Sequence, residues 1–304
     1  MDIIIIVGKT AVKNNNIIVF AGKGGVGKTT CAAATALFHA GHEARTLIIS
    51  TDPTPSLADI FETSALQQPA RVNDFLSLHE LGPEEVKEMW NNQFGHEVYE
   101  VFSSFVAVDY PEFVDFTTSL LPGLRDEFMV NYIRNLSQKN NFDVIIWDTA
   151  PLGQTLTLLE TPGMLRQHLR LAPRIYSKLK FGAQSHEPVL EILKRWEILS
   201  AENIDFLRRE VEFRIVTIAE ALAVNQLKDI FIEIGQYGLK PSYLIVNHLA
   251  QADGSIFMNT RAEEQRHYLD IIREVASGIP VKEIPMFPRE IKGTGRLLEL
   301  IKYL

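Results

Sequence analysis

Residues 17–41 place an apolar run, a glycine-rich turn carrying lysine and a helical stretch in succession, and few folds accommodate that order. Residues 17–20 read Ile-Ile-Val-Phe, short and largely β-branched, as a buried parallel strand requires. Gly22, Lys23, Gly24, Gly25, Val26, Gly27, Lys28 and Thr29 then fit G-x-x-x-x-G-K-[ST], with Thr30 following. In such a loop the glycines let backbone N–H groups turn inward around phosphate. Lys28 supplies charge beside the outer phosphates, and the Thr29 hydroxyl suits Mg²⁺. Residues 29–40 read as a helix stopped by Gly41, its N-terminus aimed at the anion. A second Gly-Lys-Thr at Gly8, Lys9 and Thr10 lacks the required first glycine, so the Ile-rich run before it reads as an extra strand or arm.

Downstream, apolar runs alternate with helix-periodic stretches. Strands are expected at 46–50, 142–147, 213–218, 243–247 and 281–285, with a helix across 220–237. That alternation predicts an α/β fold with a largely parallel sheet flanked by helices, with ligands beyond the carboxyl ends of the strands. Asp52 and Asp148 each follow a strand and so fall at that edge. Asp148 occupies the place where a carboxylate helps hold Mg²⁺ directly or through water, and Asp52 is a candidate for orienting the attacking water. Capping or turn aspartates are the structural alternative at both positions. Two long stretches, 84–139 and 164–210, interrupt the alternation and read as helical. They are expected to form a helical subdomain within a single domain spanning 1–304. Their aromatic residues, among them Trp90, Phe94, Tyr99, Phe102, Phe105, Phe113 and Phe116, either pack together as core or line a groove for a partner segment.

Composition narrows the function. The 304 residues carry a net charge of −8, which disfavours a broad nucleic-acid surface. One cysteine rules out an intrachain disulfide and an all-cysteine metal site within one chain. No apolar run approaches the roughly 20 residues of a membrane helix, so a cytoplasmic, soluble protein is expected. The amphipathic tail 296–304 is short and more suited to closing the core than to membrane anchoring.

Lys23 carries a family resemblance. The Lys23–Lys28 pair resembles the deviant phosphate loop of dimeric MinD/ParA-type ATPases, in which the first lysine reaches the nucleotide of the facing subunit. Ser50-Thr51-Asp52-Pro53-Thr54-Pro55-Ser56-Leu57-Ala58-Asp59 is similar to the first switch of the ArsA family of P-loop ATPases. Asp148-Thr149-Ala150-Pro151-Leu152-Gly153-Gln154-Thr155-Leu156 resembles its second switch. Asn247 resembles its adenine-binding asparagine, and the run from Pro288 to Gly293 its late adenine loop. The likeness spans roughly 15–304 and covers four ordered motifs. The family includes arsenite-pump-driving ATPases and tail-anchored-protein targeting ATPases.

The resemblance implies a homodimeric ATPase using ATP and Mg²⁺, with Asp52 and Lys23 catalytic and a hydrophobic protein segment or membrane-associated partner as client. Departures from the family pattern are specific. Thr54-Pro55 and Leu152 with Gln154 replace common switch residues, which leaves a nucleotide-gated scaffold as the alternative. Ser255 and Met258 stand where many targeting members carry the zinc cysteines, so no zinc is expected. Cys31 alone cannot build a multi-thiol arsenite site, although an energising role in an anion pump stays open. An iron–sulfur role fails for the same lack of cysteine ligands.

Overall fold

The computed structural model describes residues 17–51, 56–63, 69–97, 99, 109–114, 122–149, 167 and 187–304. The candidate residue Asp52, the second switch beyond Thr149, and the Gly8-Lys9-Thr10 arm lie outside them. The strands are β1 (Ile17–Gly22), β2 (Thr46–Ser50), β3 (Ala70–Arg71), β4 (Leu76–Glu80), β5 (Val144–Asp148), β6 (Val211–Ile218), β7 (Pro241–Leu249) and β8 (Val281–Pro285). They form one eight-stranded sheet in the order β3-β4-β2-β5-β1-β6-β7-β8. Every pairing is parallel except the short antiparallel β3–β4 edge. β1 is central, hydrogen-bonded to β5 on one side and β6 on the other. The loop after β1 therefore opens between neighbours on both sides, where ligands of such sheets bind.

Alternation along the strands sorts the core into two faces. Ile18, Phe20, Ile48, Ile146, Val216 and Ile245 point to one side. There they meet α1 (Lys28–Gly41), α2 (Leu57–Ile60) and α8 (Thr294–Ile301). Helix α1 presents Cys31, Ala32, Ala33, Ala34 and Ala36, all fully buried; side chains this small let it lie close on the sheet. Ile17, Val19, Leu47, Ile49, Ile145, Trp147, Phe213 and Ile215 form the opposite face. That face is covered by α3 (Pro83–Trp90), α4 (Pro122–Gln138), α5 (Glu187–Arg209), α6 (Ala221–Gln236) and α7 (Ile256–Val275).

The helices of the two long stretches thus share a core with the sheet. Trp90, Phe113 and Phe128 are buried in the same cluster as Ile145 and Trp147, with Phe94 and Tyr99 packed against it. The stretches also meet each other. Arg134 on α4 donates to Asn203 at 2.8 Å and to Glu202 at 2.7 Å on α5, and Arg195 donates to Glu97 at 3.0 Å. Phe102, Phe105 and Phe116 lie outside the described residues.

Two local readings needed correction. Strand β4, Leu-Ser-Leu-His-Glu, has no counterpart among the sequence-based strands, because two leucines in five residues give little signal until β2 pairs with it. Gly41 does not stop α1: it is the last helical residue, and a Cβ there would meet nothing. The left-handed position falls at Glu43, at φ 62°, and its N–H closes the helix on the Ala40 carbonyl at 3.0 Å.

Candidate nucleotide site

The turn between β1 and α1 needs glycine for two close approaches. A Cβ on Gly22 would run into the Val216 carbonyl oxygen of neighbouring β6. One on Gly27, at φ 94°, would run into the side-chain nitrogen of Asn247. Gly27 also serves as the N-cap of α1 and has no side chain to occupy the first N–H groups. Those groups, with their partial positive charge, remain for an anion. Lys28 is only 5% exposed, and its Nζ donates to the Lys23 carbonyl oxygen at 3.2 Å. The ammonium is thus held inside the curl of the loop, whereas Lys23 is half-buried at its outer edge.

Asp148 ends β5 with its side chain wholly buried, in register with Phe20 on β1 and Ser50 on β2. Ser50 Oγ donates to its Oδ2 at 3.4 Å. The next residue, Thr149, donates its hydroxyl to the Phe20 carbonyl at 2.9 Å, fixing the chain as it leaves the strand. Thr51 is tied to β5 twice. Its N–H donates to the Asp148 carbonyl at 3.1 Å, and its Oγ1 accepts from Trp147 Nε1 at 3.2 Å. Cys31, under the loop, has its thiol pushed up to about 12 by burial, with Asp148 adding to the effect and Arg214 opposing it. It is an inert core thiol.

A cleft of about 730 Å³ runs from the loop to the ends of β7 and β8. Gly24, Gly25, Gly27, Lys28, Thr29 and Thr30 line one end; Asn247, His248, Phe287, Arg289 and Lys292 line the other. Asn247 does more than line it. At 6% exposure it donates Nδ2 to the Val26 carbonyl at 2.9 Å, and its Oδ1 accepts the His248 N–H at 2.9 Å. Its amide therefore clamps the phosphate loop while leaving one N–H and one lone pair for a base. Pro288 is exposed; its neighbours Phe287 and Arg289 line the cleft instead. His248, at φ 59°, has its pKa lowered by burial, with Arg261 lowering it further and Glu220 opposing.

Glu80 carried no sequence signal, and neither did the contacts that join the named motifs. Glu80 at the end of β4 accepts from the Leu57 N–H at 2.7 Å and the Ala58 N–H at 3.3 Å, capping α2 at the end of the first switch. Lys292 reaches Asp59 at 3.2 Å, and the Gly293 N–H donates to the Ile60 carbonyl at 2.8 Å. The loop before α8 and the end of the first switch are therefore stitched together across the cleft rim.

A family model for anion-transporting ATPases, ArsA_ATPase, matches residues 15–304. The chain belongs to the ArsA ATPase family. It is 30% identical to a putative arsenical pump-driving ATPase of Prosthecochloris vibrioformis over 92% of this chain and 73% of that one. It is 29% identical to putative arsenical pump-driving ATPase 2 of Aquifex aeolicus over 95% of this chain and 98% of that one. Against the ATPase GET3A of Arabidopsis thaliana the identity is 25%, covering 91% and 80%. As an ArsA-type ATPase the chain is a nucleotide-hydrolysing enzyme with a P-loop fold. Ser255 is the N-cap of α7, its Oγ accepting the Met258 N–H at 3.2 Å. No described helix is long and apolar enough to cross a membrane.

Proposed function

We propose that two copies of this chain close around ATP and Mg²⁺ and use hydrolysis to reshape a helical client surface. The observation carrying this reading is convergence. The phosphate loop and Asn247 line one cleft, Asp148 ends the strand paired beside β1, and these residues fit a nucleotide. The loop leaves uncapped N–H groups at the head of α1, and a Cβ at Gly27 would intrude on its packing. Gly24, Gly25, Gly27 and Lys28 would hold the phosphates, with Gly22, Val26 and Thr30 shaping the loop. Thr29 and Asp148 would hold Mg²⁺, directly or through water, and the bound ion would offset charge on the outer phosphate oxygens. Asp52 would orient the attacking water, Lys23 would act on the partner's nucleotide, and Asn247 would face adenine. The base-side loop would contribute through Phe287 and Arg289, with Pro288 setting its bend.

The helices of 84–139 and 164–210 would form the client-facing subdomain of a cytoplasmic protein. The client would be a hydrophobic protein segment, the reading that the resemblance to the tail-anchored targeting branch supports. Direct arsenite binding is disfavoured, since Cys31 is buried and held protonated. The altered switch residues Leu152 and Gln154 favour a second reading, a nucleotide-gated scaffold with little turnover. Multiple-turnover phosphate release with ATP and Mg²⁺ separates the two. Sustained release that rises more than linearly with protein concentration supports the dimeric ATPase. ATP binding without turnover supports the scaffold.

A further inference from the structure

Behind the phosphate-loop helix lies a second cavity, separate from the nucleotide cleft, of about 160 Å³. Thr35, Phe38 and His39 of α1, Arg214 of β6, Ile301 of α8 and the following Leu304 line it. We infer that this cavity is a binding site for a small monocarboxylic acid, its carboxylate on Arg214 and Thr35 and its short tail against Phe38, Ile301 and Leu304.

The polar groups are built in and unspent. Thr35 is 3% exposed, and its hydroxyl has no hydrogen-bond partner among the described residues. A buried hydroxyl left unpaired is destabilising, so its persistence points to a partner that occupies the space. Arg214 has only 16% of its side chain exposed and is held rigidly. Its Nε donates to Glu212 at 2.7 Å, and its guanidinium carbon stands 5.8 Å from the Phe20 ring centroid and 5.2 Å from that of Tyr243. Its two terminal nitrogens make no hydrogen bond among the described residues. A fixed guanidinium fork matches a carboxylate in two-point geometry.

Charge and size narrow the ligand. Glu212 balances Arg214, and burial together with the Arg214 charge holds His39 neutral near pH 7, its pKa pushed down to about 4. Arg214 is the single arginine or lysine among the described residues lining the cavity and already shares its charge with Glu212, so at most one negative charge can be matched there, a monoanion and not a doubly charged phosphate. A dry cavity of about 150 Å³ accommodates benzene, so an acid of roughly five or six heavy atoms is the matching size. Position gives the site reach. Helix α1 begins at Lys28 and Thr29 of the nucleotide loop, and on α8 Leu300 lines the nucleotide cleft while Ile301 lines this cavity. An occupant would brace both helices from behind.

The test is calorimetric titration of the full chain with propionate, butyrate and neutral butyramide at constant ionic strength. Saturating ADP and Mg²⁺ keep the phosphate loop occupied. The expected result is one saturable site per chain for the acids, with butyramide about tenfold weaker or more. Thr35→Val should weaken butyrate about fivefold, and Arg214→Lys, which keeps charge but loses the fork, about tenfold or more. Phe38→Trp, on a half-exposed wall, should block binding by filling the space, which keeps the test alive if an Arg214 variant misfolds. No saturable binding would mean that the cavity holds only water and would overturn the inference. Butyramide binding as tightly as butyrate, or affinity unchanged by both Thr35→Val and Phe38→Trp, would do the same.

Discussion

Asn247→Ala separates two roles that one side chain can combine. The resemblance assigns Asn247 to the base, yet its Nδ2 is bonded at 2.9 Å to the carbonyl of Val26, itself 1% exposed. Truncation deletes that bond and strands the carbonyl in a buried setting, at a cost of about 1–3 kcal/mol. Part of the cost falls on the whole fold, lowering the melting temperature by a few degrees at about 2–4 °C per kcal/mol. The rest falls on the phosphate loop, which must then be ordered when the anion binds. If about 1 kcal/mol appears there, affinity drops about fivefold. The informative ligand is inorganic triphosphate, which has no base. Calorimetry should show triphosphate binding about 5-fold weaker in Asn247→Ala, and comparably weaker in Asn247→Asp, which keeps the acceptor for the His248 N–H but loses the donor to Val26. ATP should lose more than triphosphate in both. Unchanged triphosphate affinity in both variants, with ATP alone weakened, would refute the clamp and leave Asn247 a base contact only.

Other consequences are simpler to check. Asp52→Asn should keep ATP binding while slowing phosphate release about 10²–10⁴-fold; wild-type turnover would remove Asp52 from the chemistry. Elemental analysis of the purified protein should find no stoichiometric zinc, and one zinc per dimer would reveal ligands other than the positions of Ser255 and Met258. His39 stays neutral in the folded chain down to about 4, whereas an unfolded histidine protonates near 6.5. The unfolded state then binds more protons in that window, and stability must fall as pH drops from about 6.5 to 4. Urea titrations of His39→Gln should show a shallower loss there, and an unaltered slope would place the acid sensitivity elsewhere.

How far the sequence reaches depends on where each signal resides. Residues 17–22 and 46–50 are buried throughout, and their apolar runs at 17–21 and 47–49 reflect a central parallel strand with both faces covered, so the run itself announces the element. The phosphate loop is legible because glycine at 22 and 27 answers to steric demands no other residue meets. Asp148 is legible because it closes such a strand. Strand β4 is not, since its identity comes from pairing with β2 on one side and the short edge strand β3 on the other. Nor is the clamp on Val26: a loop carbonyl 221 positions away leaves no local trace in the residues around Asn247. The stitches from Lys292 to Asp59 and from Gly293 to Ile60 are likewise tertiary, joining segments more than 200 residues apart. The end of α1 shows the opposite failure. Gly41 offers the expected signal, yet the left-handed turn falls two residues later, on a glutamate.

The central claim is that Lys28 serves its own nucleotide while Lys23 serves the partner's, and a mixing experiment tests it most directly. Lys23→Ala and Asp52→Asn proteins are each expected to be nearly inactive alone. In a mixed dimer one composite site joins the intact Asp52 of one chain to the intact Lys23 of the other, and the opposite site lacks both. Phosphate release should therefore recover on mixing, up to about half of the wild-type rate per mixed dimer if the two sites are independent. Lys23→Ala protein that hydrolyses ATP at the wild-type rate by itself, or a mixture no more active than its components, would contradict a lysine acting across the interface.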